Sequence, residues 1–107
     1  MSCKNPASEQ AVIIYLDPRS ISLQGFDEPG LDFLEDRLSG LLEQNRLGEF
    51  DGDEIGEGAV TLFCYGPDAE KLFSGIEATL RGLRLCRGAK VVIRAGGPGS
   101  EERTVWL

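Results

Sequence analysis

Two short apolar segments constrain the fold of this chain more than any other feature: AVIIYL at residues 11–16 and AVTLFCY at residues 59–65. Both are rich in β-branched and aromatic residues, and both are shorter than a typical helix. They are also the most continuously apolar strand segments in the sequence, which is typical of strands inside a sheet rather than at its edge. The sequence therefore predicts two central strands.

A helical pattern follows each of these strands. Residues 27–48 carry leucines at three- and four-residue spacing, and Pro29 and Gly48 suit the first turn and the end of a helix. A second helix is predicted to begin at Pro67 and to close at Gly82. The predicted core-facing residues are Leu31, Leu34, Leu38, Leu41, Leu42 and Leu47 in the first helix, and Leu72, Phe73, Ile76, Leu80 and Leu83 in the second.

Three further strand segments complete the pattern. Residues 49–52 are a weak acidic strand, residues 89–95 and 102–107 are two more strands, and residues 18–26 are a connection. The order is β-α-β-β-α-β plus one C-terminal strand. It predicts an α+β fold, a ferredoxin-like two-layer sandwich whose antiparallel sheet carries two helices on one face. An alternative that omits the acidic strand gives β-α-β-α-β-β.

The length of 107 residues suits one domain. Residues 1–10 lack the apolar stretch of a signal peptide, and we expect them to be a disordered lead-in. Residues 11–107 are expected to form a single ferredoxin-like domain. No apolar run approaches the ~20 residues of a membrane span, so we expect no membrane contact and a cytoplasmic location.

The residues that most often carry catalysis are scarce. Histidine is absent, which removes the commonest general base and the Ser-His and Cys-His pairs of nucleophilic catalysis. Cys3, Cys64 and Cys86 are an odd count without the CxxC spacing of a zinc site. The sequence therefore predicts a non-enzymatic protein with no catalytic residues and no cofactor.

The charge is acidic and unevenly distributed. The net charge is −7, with −9 in residues 1–60 and +2 in residues 61–107, which argues against nucleic acid as a partner. A basic run without intervening acids comprises Arg81, Arg84, Arg87, Lys90 and Arg94. We interpret it as a solvated helix end and sheet edge. The alternative is a contact surface for an acidic partner, including the acidic edge of another copy.

The segment EFDGDEIGEG, residues 49–58, places five carboxylates among three glycines. Read as an EF-hand loop from Asp51, it has Ile55 and Leu62 where two of the calcium ligands belong, so it is not an EF-hand. We interpret it as a solvated hairpin whose charges keep an edge strand from pairing. The alternatives are an acidic partner-binding surface and a divalent-metal site. The candidate metal ligands are Asp51, Asp53, Glu54 and Glu57.

Strand alternation predicts a second apolar surface. Because two helices cover only one face of such a sheet, the side chains of the central strands on the other face remain uncovered by them. The predicted partner-binding residues are Ile13, Tyr15, Phe63 and Tyr65, with Trp106 beside them. This face would contact another protein or a second copy of the chain. The alternatives are a small-molecule pocket and local cover by a curled sheet or by the N-terminal segment.

The segment FDGDEIGEGAVTLFCYGPDAEKLF, residues 50–73, resembles small bacterial proteins of unknown function with a ferredoxin-like fold. Asp51-Gly52 after a weak strand also resembles the ribonuclease-inhibitor and regulator group with this fold. These resemblances imply a bacterial origin and supply no catalytic residues. We therefore expect a protein-interaction or regulatory module. The alternative is a small-molecule or divalent-metal-binding domain that uses the acidic 49–57 hairpin or the open sheet face.

Overall fold

The structure, a computed structural model, describes residues 9–22, 30–56, 59–96 and 99–107. These residues form an α+β structure with five strands and three helices. The elements are β1 (Gln10–Leu16), α1 (Pro18–Ser22), α2 (Leu31–Gln44), β2 (Glu49–Gly56), β3 (Ala59–Gly66), α3 (Ala69–Gly82), β4 (Lys90–Arg94) and β5 (Glu102–Trp106), with a 3-10 turn at Arg84–Cys86. Within this described part, no helix combines the length and the apolar character needed to cross a bilayer.

The five strands form one antiparallel sheet in the order β2-β3-β1-β4-β5. The two predicted central strands, β1 and β3, are adjacent and interior, and the acidic strand β2 lies at an edge, as predicted. Because β2 pairs with β3, the alternative topology without the acidic strand is wrong.

The main core lies between the sheet and the helices. Alternation directs Val12, Ile14 and Leu16 of β1 into this core, and each is at most 3% exposed. The helices supply their predicted leucine and isoleucine stripes. The buried helical residues are Leu34, Leu38 and Leu42 from α2, and Ala69, Leu72, Phe73, Ile76 and Leu80 from α3. Each fully buried aliphatic side chain contributes about 1.5–3 kcal/mol relative to exposure, so these stripes hold the helices on the sheet.

Two helix boundaries differ from prediction. The first long helix ends at Gln44 rather than at Gly48, because Asn45 caps it and its side-chain Nδ2 donates to the carbonyl of Leu41 at 3.0 Å. The start of α3 lies one residue beyond Asp68, whose side chain accepts a hydrogen bond from the Lys71 backbone at 3.1 Å. An N-cap aspartate satisfies a helix-end donor, which a proline at the first position does not. The predicted role of Pro29 lies outside the described residues.

A short helix occupies part of the predicted connection 18–26. Asp17 accepts a hydrogen bond from the Arg19 backbone at 2.9 Å and Pro18 begins α1, so Asp17-Pro18 acts as a helix start after β1. The hydroxyl of Ser20 donates to the carbonyl of Arg87 at 2.5 Å, which ties α1 to the turn before β4. Residues 1–8 of the predicted lead-in lie outside the described residues, and β1 begins at Gln10.

Candidate interaction surface

The sheet has one side that the described helices do not cover, and we call it the open face. Its positions follow from the pairing register, because paired residues of neighbouring strands project to the same side. Three positions of each strand form three rows across the sheet, and the pair Gly56 and Ala59 lies on the same side beyond them. The row positions are Glu49, Gly52 and Glu54 on β2; Thr61, Phe63 and Tyr65 on β3; Ala11, Ile13 and Tyr15 on β1; Lys90, Val92 and Arg94 on β4; and Glu102, Thr104 and Trp106 on β5.

The middle of the open face is apolar. One row across the sheet reads Gly52, Phe63, Ile13, Val92 and Thr104. Ala11, Ile13 and Val92 form a small buried cluster, and the half-buried rings of Phe63 and Tyr65 pack against it. In the described part of the chain, this cluster contains strand residues only. This arrangement differs from the main core, to which α1, α2 and α3 all contribute.

A second row combines aromatic rings with charge. It reads Glu54, Thr61, Tyr15, Lys90 and Trp106 across the sheet. The Lys90 Nζ lies 5.4 Å from the centroid of the Tyr15 ring, a cation–π distance. Tyr15 is 41% exposed and Trp106 is 66% exposed, so large apolar rings at this end of the face contact solvent.

The third row is the most polar. It reads Glu49, Tyr65, Ala11, Arg94 and Glu102. The Nε of Arg94 donates to the carbonyl of Gly96 at 2.8 Å, which holds this guanidinium close to the end of its own strand. On the open face, Glu49 and Glu54 of β2 and Lys90 and Arg94 of β4 are separated by the uncharged residues of β3 and β1, and Glu102 of β5 lies beside Arg94.

The four predicted partner-binding residues lie on this one face, but they differ in exposure. Tyr15 is exposed, Phe63 and Tyr65 are half-buried, and Ile13 is buried at 7% exposed. Ile13 belongs to the middle strand and has Phe63 on one side and Val92 on the other, so its neighbours shield it. The surface that a partner would contact is thus aromatic, with Ile13 beneath it.

The acidic segment is a strand rather than a loop. Strand β2 runs to Gly56, beyond the predicted Gly52, with a register shift between Phe50 and Gly52. Pairing with β3 supplies backbone hydrogen bonds beyond Gly52, along residues that the sequence pattern assigns to the solvated part of a hairpin. Of the candidate ligands, Asp51, Asp53 and Glu54 are in this strand and Glu57 lies outside the described residues.

Alternation separates the candidate metal ligands. Glu54 projects to the open face, whereas Asp53 projects to the side of the sheet that carries α2. Neighbouring carboxylates on opposite sides of a strand do not converge on one ion. No group of three or more His, Cys, Asp or Glu side chains that could hold a metal occurs among the described residues.

Sequence reasoning missed one unusual carboxyl group, Glu35 on α2. Burial raises its pKa to about 7, helped by a hydrogen bond with Asp53 and by the nearby charges of Asp32 and Asp36. Its Oε2 is buried and makes no hydrogen bond within the described structure. The sequence does indicate that Glu35 is partly buried, because it lies three residues before Leu38, beside the leucine stripe of α2. It does not indicate the contact with Asp53, because that residue lies on β2.

The cysteine thiols inside the fold are not activated. Cys64 and Cys86 are fully buried, and burial raises the pKa of each thiol to about 12. A thiol with such a pKa stays protonated near neutral pH and is a poor nucleophile. Cys64 acts as a small apolar residue of the core, as its place in β3 predicts. Cys3 lies outside the described residues.

The cavities near the helix ends are small. One of about 280 Å³ lies beside the start of α3, where Arg103 and Glu70 form a two-pronged ion pair with distances of 2.7 and 2.8 Å. Another, of about 200 Å³, has Arg81, Arg84 and Arg87 in its lining. Both fall below the ~300–1,000 Å³ that is typical of small-molecule sites.

Comparisons with protein-family models, with curated proteins and with solved structures found no match to this chain. What this chain can bind is therefore inferred from the geometry of its sheet and the chemistry of its side chains.

Proposed function

We propose that this chain is a protein-interaction or regulatory module that works through its open face, and that its fold is ferredoxin-like. The strand order supports the fold: β2-β3-β1-β4 joined through α2 and α3 is the arrangement expected for a β-α-β-β-α-β chain, and β5 extends the sheet beside β4. In this proposal, the helices and their core are the scaffold and the opposite side of the sheet is the working surface.

One observation supports the function above all others. On the side of the sheet opposite the described helices, the exposed ring of Tyr15 and the half-buried ring of Phe63 border the buried side chains of Ile13 and Val92. Contiguous apolar and aromatic surface with a charged border is typical of protein interfaces. Tyr and Trp also supply large contact area at low entropic cost, and they are enriched among residues that dominate binding.

The proposed role is non-enzymatic because the residue set of the open face suits recognition better than chemistry. The sequence holds no histidine, and the thiols of Cys64 and Cys86 stay protonated. The carboxylates Glu49 and Glu54 are exposed on the edge strand β2. A cytoplasmic location for such a module remains a prediction.

A pull-down with matched variants tests the proposal. Tagged wild-type protein, Phe63→Asp and Phe33→Asp would each be expressed in the host and purified at moderate salt. Phe33 is 46% exposed on α2, so Phe33→Asp makes the same chemical change away from the open face. We expect the wild type and Phe33→Asp to retain the same protein in stoichiometric amount, and Phe63→Asp to lose it, because a buried charge in an interface is costly.

Folding of the variants is checked separately. Phe63 is half-buried, so Tyr15→Asp, at a more exposed position of the same face, serves as a second variant. Circular dichroism and thermal melts would show that each variant keeps the wild-type fold. If folded Phe63→Asp and Tyr15→Asp retain the same protein as the wild type, the open face is not the interaction surface. A metabolite that raises the melting temperature of the wild type would then favour the ligand-binding alternative.

A further inference from the structure

Across β2, β3, β1 and β4, the charges of the open face form two columns, and Glu102 lies outside these four strands on β5. Strand β2 supplies Glu54, and β4 supplies Lys90 in the same row, with the uncharged residues of β3 and β1 between them. Neighbouring strands lie about 4.8 Å apart, so the Cα atoms of these two residues are separated by roughly 14 Å within one chain. Glu54 and Lys90 therefore do not pair with each other, and a partner could bring an opposite charge to each of them.

We infer that a second copy of this chain occupies the open face and supplies those charges. This inference rests on the proposed function and identifies the partner at the same surface. The two sheets would stack face to face about a two-fold axis that runs nearly parallel to the strands and passes between β3 and β1. Stacked sheets normally keep their strand directions within about 30° of each other, and this axis satisfies that condition.

This axis pairs the two charge columns across the interface. A two-fold rotation about a line between β3 and β1 places β2 over the partner's β4. Each row of one sheet then faces the same row of the partner's sheet. Glu54 then faces the partner's Lys90, and the partner's Glu54 faces Lys90. With sheets about 10 Å apart, a glutamate and a lysine side chain together span the gap. The two contacts are equivalent, as a closed two-fold dimer requires.

The same axis also covers the half-buried ring of Phe63 and the exposed ring of Tyr15. It places β3 over the partner's β1, so Phe63 lies opposite the partner's Ile13 and Tyr15 lies in a row with the partner's Thr61. Strand β5 falls outside this four-strand overlap. The aromatic surface and the charge columns thus support one arrangement rather than two competing ones.

A two-fold axis perpendicular to the strands, which also keeps the strand directions aligned, is disfavoured by charge. An axis perpendicular to the strands would place each strand over its own copy and exchange the outer rows. Glu49 would then face the partner's Glu54, and Lys90 would face the partner's Arg94. Like charges brought together in an interface cost several kcal/mol and suppress that mode of association.

Charge reversal at one pair of positions tests the arrangement. Glu49 and Arg94 already have contacts within the chain, so the variants are Glu54→Lys and Lys90→Glu. By sedimentation equilibrium, we expect the wild type to dimerise with increasing concentration. Each single variant should raise the dimer Kd at least about tenfold, because both charge contacts of its homodimer become repulsive. Glu43→Lys, at an exposed position on α2, makes the same charge change off the face and should leave Kd unchanged.

Mixing the two single variants gives the decisive result. In a heterodimer of Glu54→Lys with Lys90→Glu, both interfacial contacts join opposite charges again, so native mass spectrometry should show the heterodimer in excess over either homodimer. If folded single variants associate like the wild type, or if mixing does not restore association, the proposed axis is wrong. If the wild type stays monomeric at all concentrations, the second copy is not the occupant, whereas a protein that depends on Phe63 in the pull-down would still support the proposed function.

Discussion

The carboxyl group of Glu35 on α2 lies within hydrogen-bonding reach of the carboxyl group of Asp53 on β2. Two carboxyl groups can share a hydrogen bond only when one of them holds a proton. Burial and the charge of Asp53 raise the pKa of Glu35 to about 7, from an ordinary value of 4.5. The contact between this helix and the edge strand is therefore stable when Glu35 is protonated and weaker when it is charged.

The protein should lose stability as pH rises toward neutrality. The folded state binds the Glu35 proton more tightly than the unfolded state, so the stabilisation is fully present below about pH 4.5 and is lost as pH rises through about 7. Each pH unit in this window corresponds to at most about 1.4 kcal/mol. Glu35 is partly exposed, and solvent screening reduces the expected loss to about 1–2 kcal/mol. Urea denaturation at a series of pH values measures it.

A neutral variant isolates this group from the rest of the acidic surface. Glu35→Gln should be more stable than the wild type above about pH 7.5 and should flatten the pH profile, because an amide donates to Asp53 at every pH. Glu43→Gln, at an exposed position on the same helix, should keep the wild-type profile. An unchanged profile in Glu35→Gln would assign the pH dependence to other groups. A carbon-13 NMR titration of the Glu35 carboxyl would report its pKa directly.

Divalent cations should not stabilise the fold. Asp53 and Glu54 project to opposite sides of β2, so they do not form the convergent oxygen cage that Ca²⁺ or Mg²⁺ requires. We expect millimolar Ca²⁺ or Mg²⁺ to leave the melting temperature without a saturable increase. A saturable increase that disappears in Asp53→Asn would contradict this prediction and would favour the metal-binding alternative.

The faces of the central strands could be predicted because their periodicity is two. Once Val12 and Ile14 are assigned to the helix-covered side, Ile13 and Tyr15 must lie on the other. The same reasoning places Phe63 on the open face. Local patterns suffice here because each conclusion depends on residues one or two positions apart.

The features that escaped prediction depend on contacts between distant parts of the chain. Strand β2 continues past Gly52 because β3 pairs with it, although its own residues favour a turn. The pKa of Glu35 depends on Asp53, which lies 18 positions later in the sequence. The sequence pattern assigns Gly48 to the end of a helix. In the structure, Gly48 instead allows the backbone after α2 to approach the backbone at the end of β3 closely. No local window contains both members of such a pair.

The side chain of Asp68 should stabilise the start of α3, where Gln10 Oε1 also accepts a hydrogen bond from the Ala69 backbone at 2.8 Å. Asp68→Ala removes the oxygen that accepts the Lys71 backbone hydrogen bond and should lower the free energy of unfolding by about 1 kcal/mol. Asp68→Asn keeps an acceptor at this position and should cost much less. Chemical denaturation of the two variants compares them directly. Equal losses would show that the charge of Asp68, rather than its capping oxygen, stabilises the helix.

The backbone after α2 passes close to the end of β3, and we expect that Gly66 cannot be replaced by a residue with a side chain. A Cβ atom at Gly66 would lie 2.2 Å from the carbonyl oxygen of Leu47, and one at Gly48 would lie 2.0 Å from the carbonyl oxygen of Tyr65. Both obstacles are backbone atoms, which cannot rotate away, so Gly66→Ala should lower the free energy of unfolding by about 2–3 kcal/mol. Gly40→Ala is the matched control: Gly40 is inside α2 with open space around it, and alanine should raise the free energy of unfolding by about 0.5–1 kcal/mol. If Gly66→Ala changes the free energy of unfolding as little as Gly40→Ala in thermal or urea melts, the two backbone segments can move apart without loss of the β2–β3 pairing.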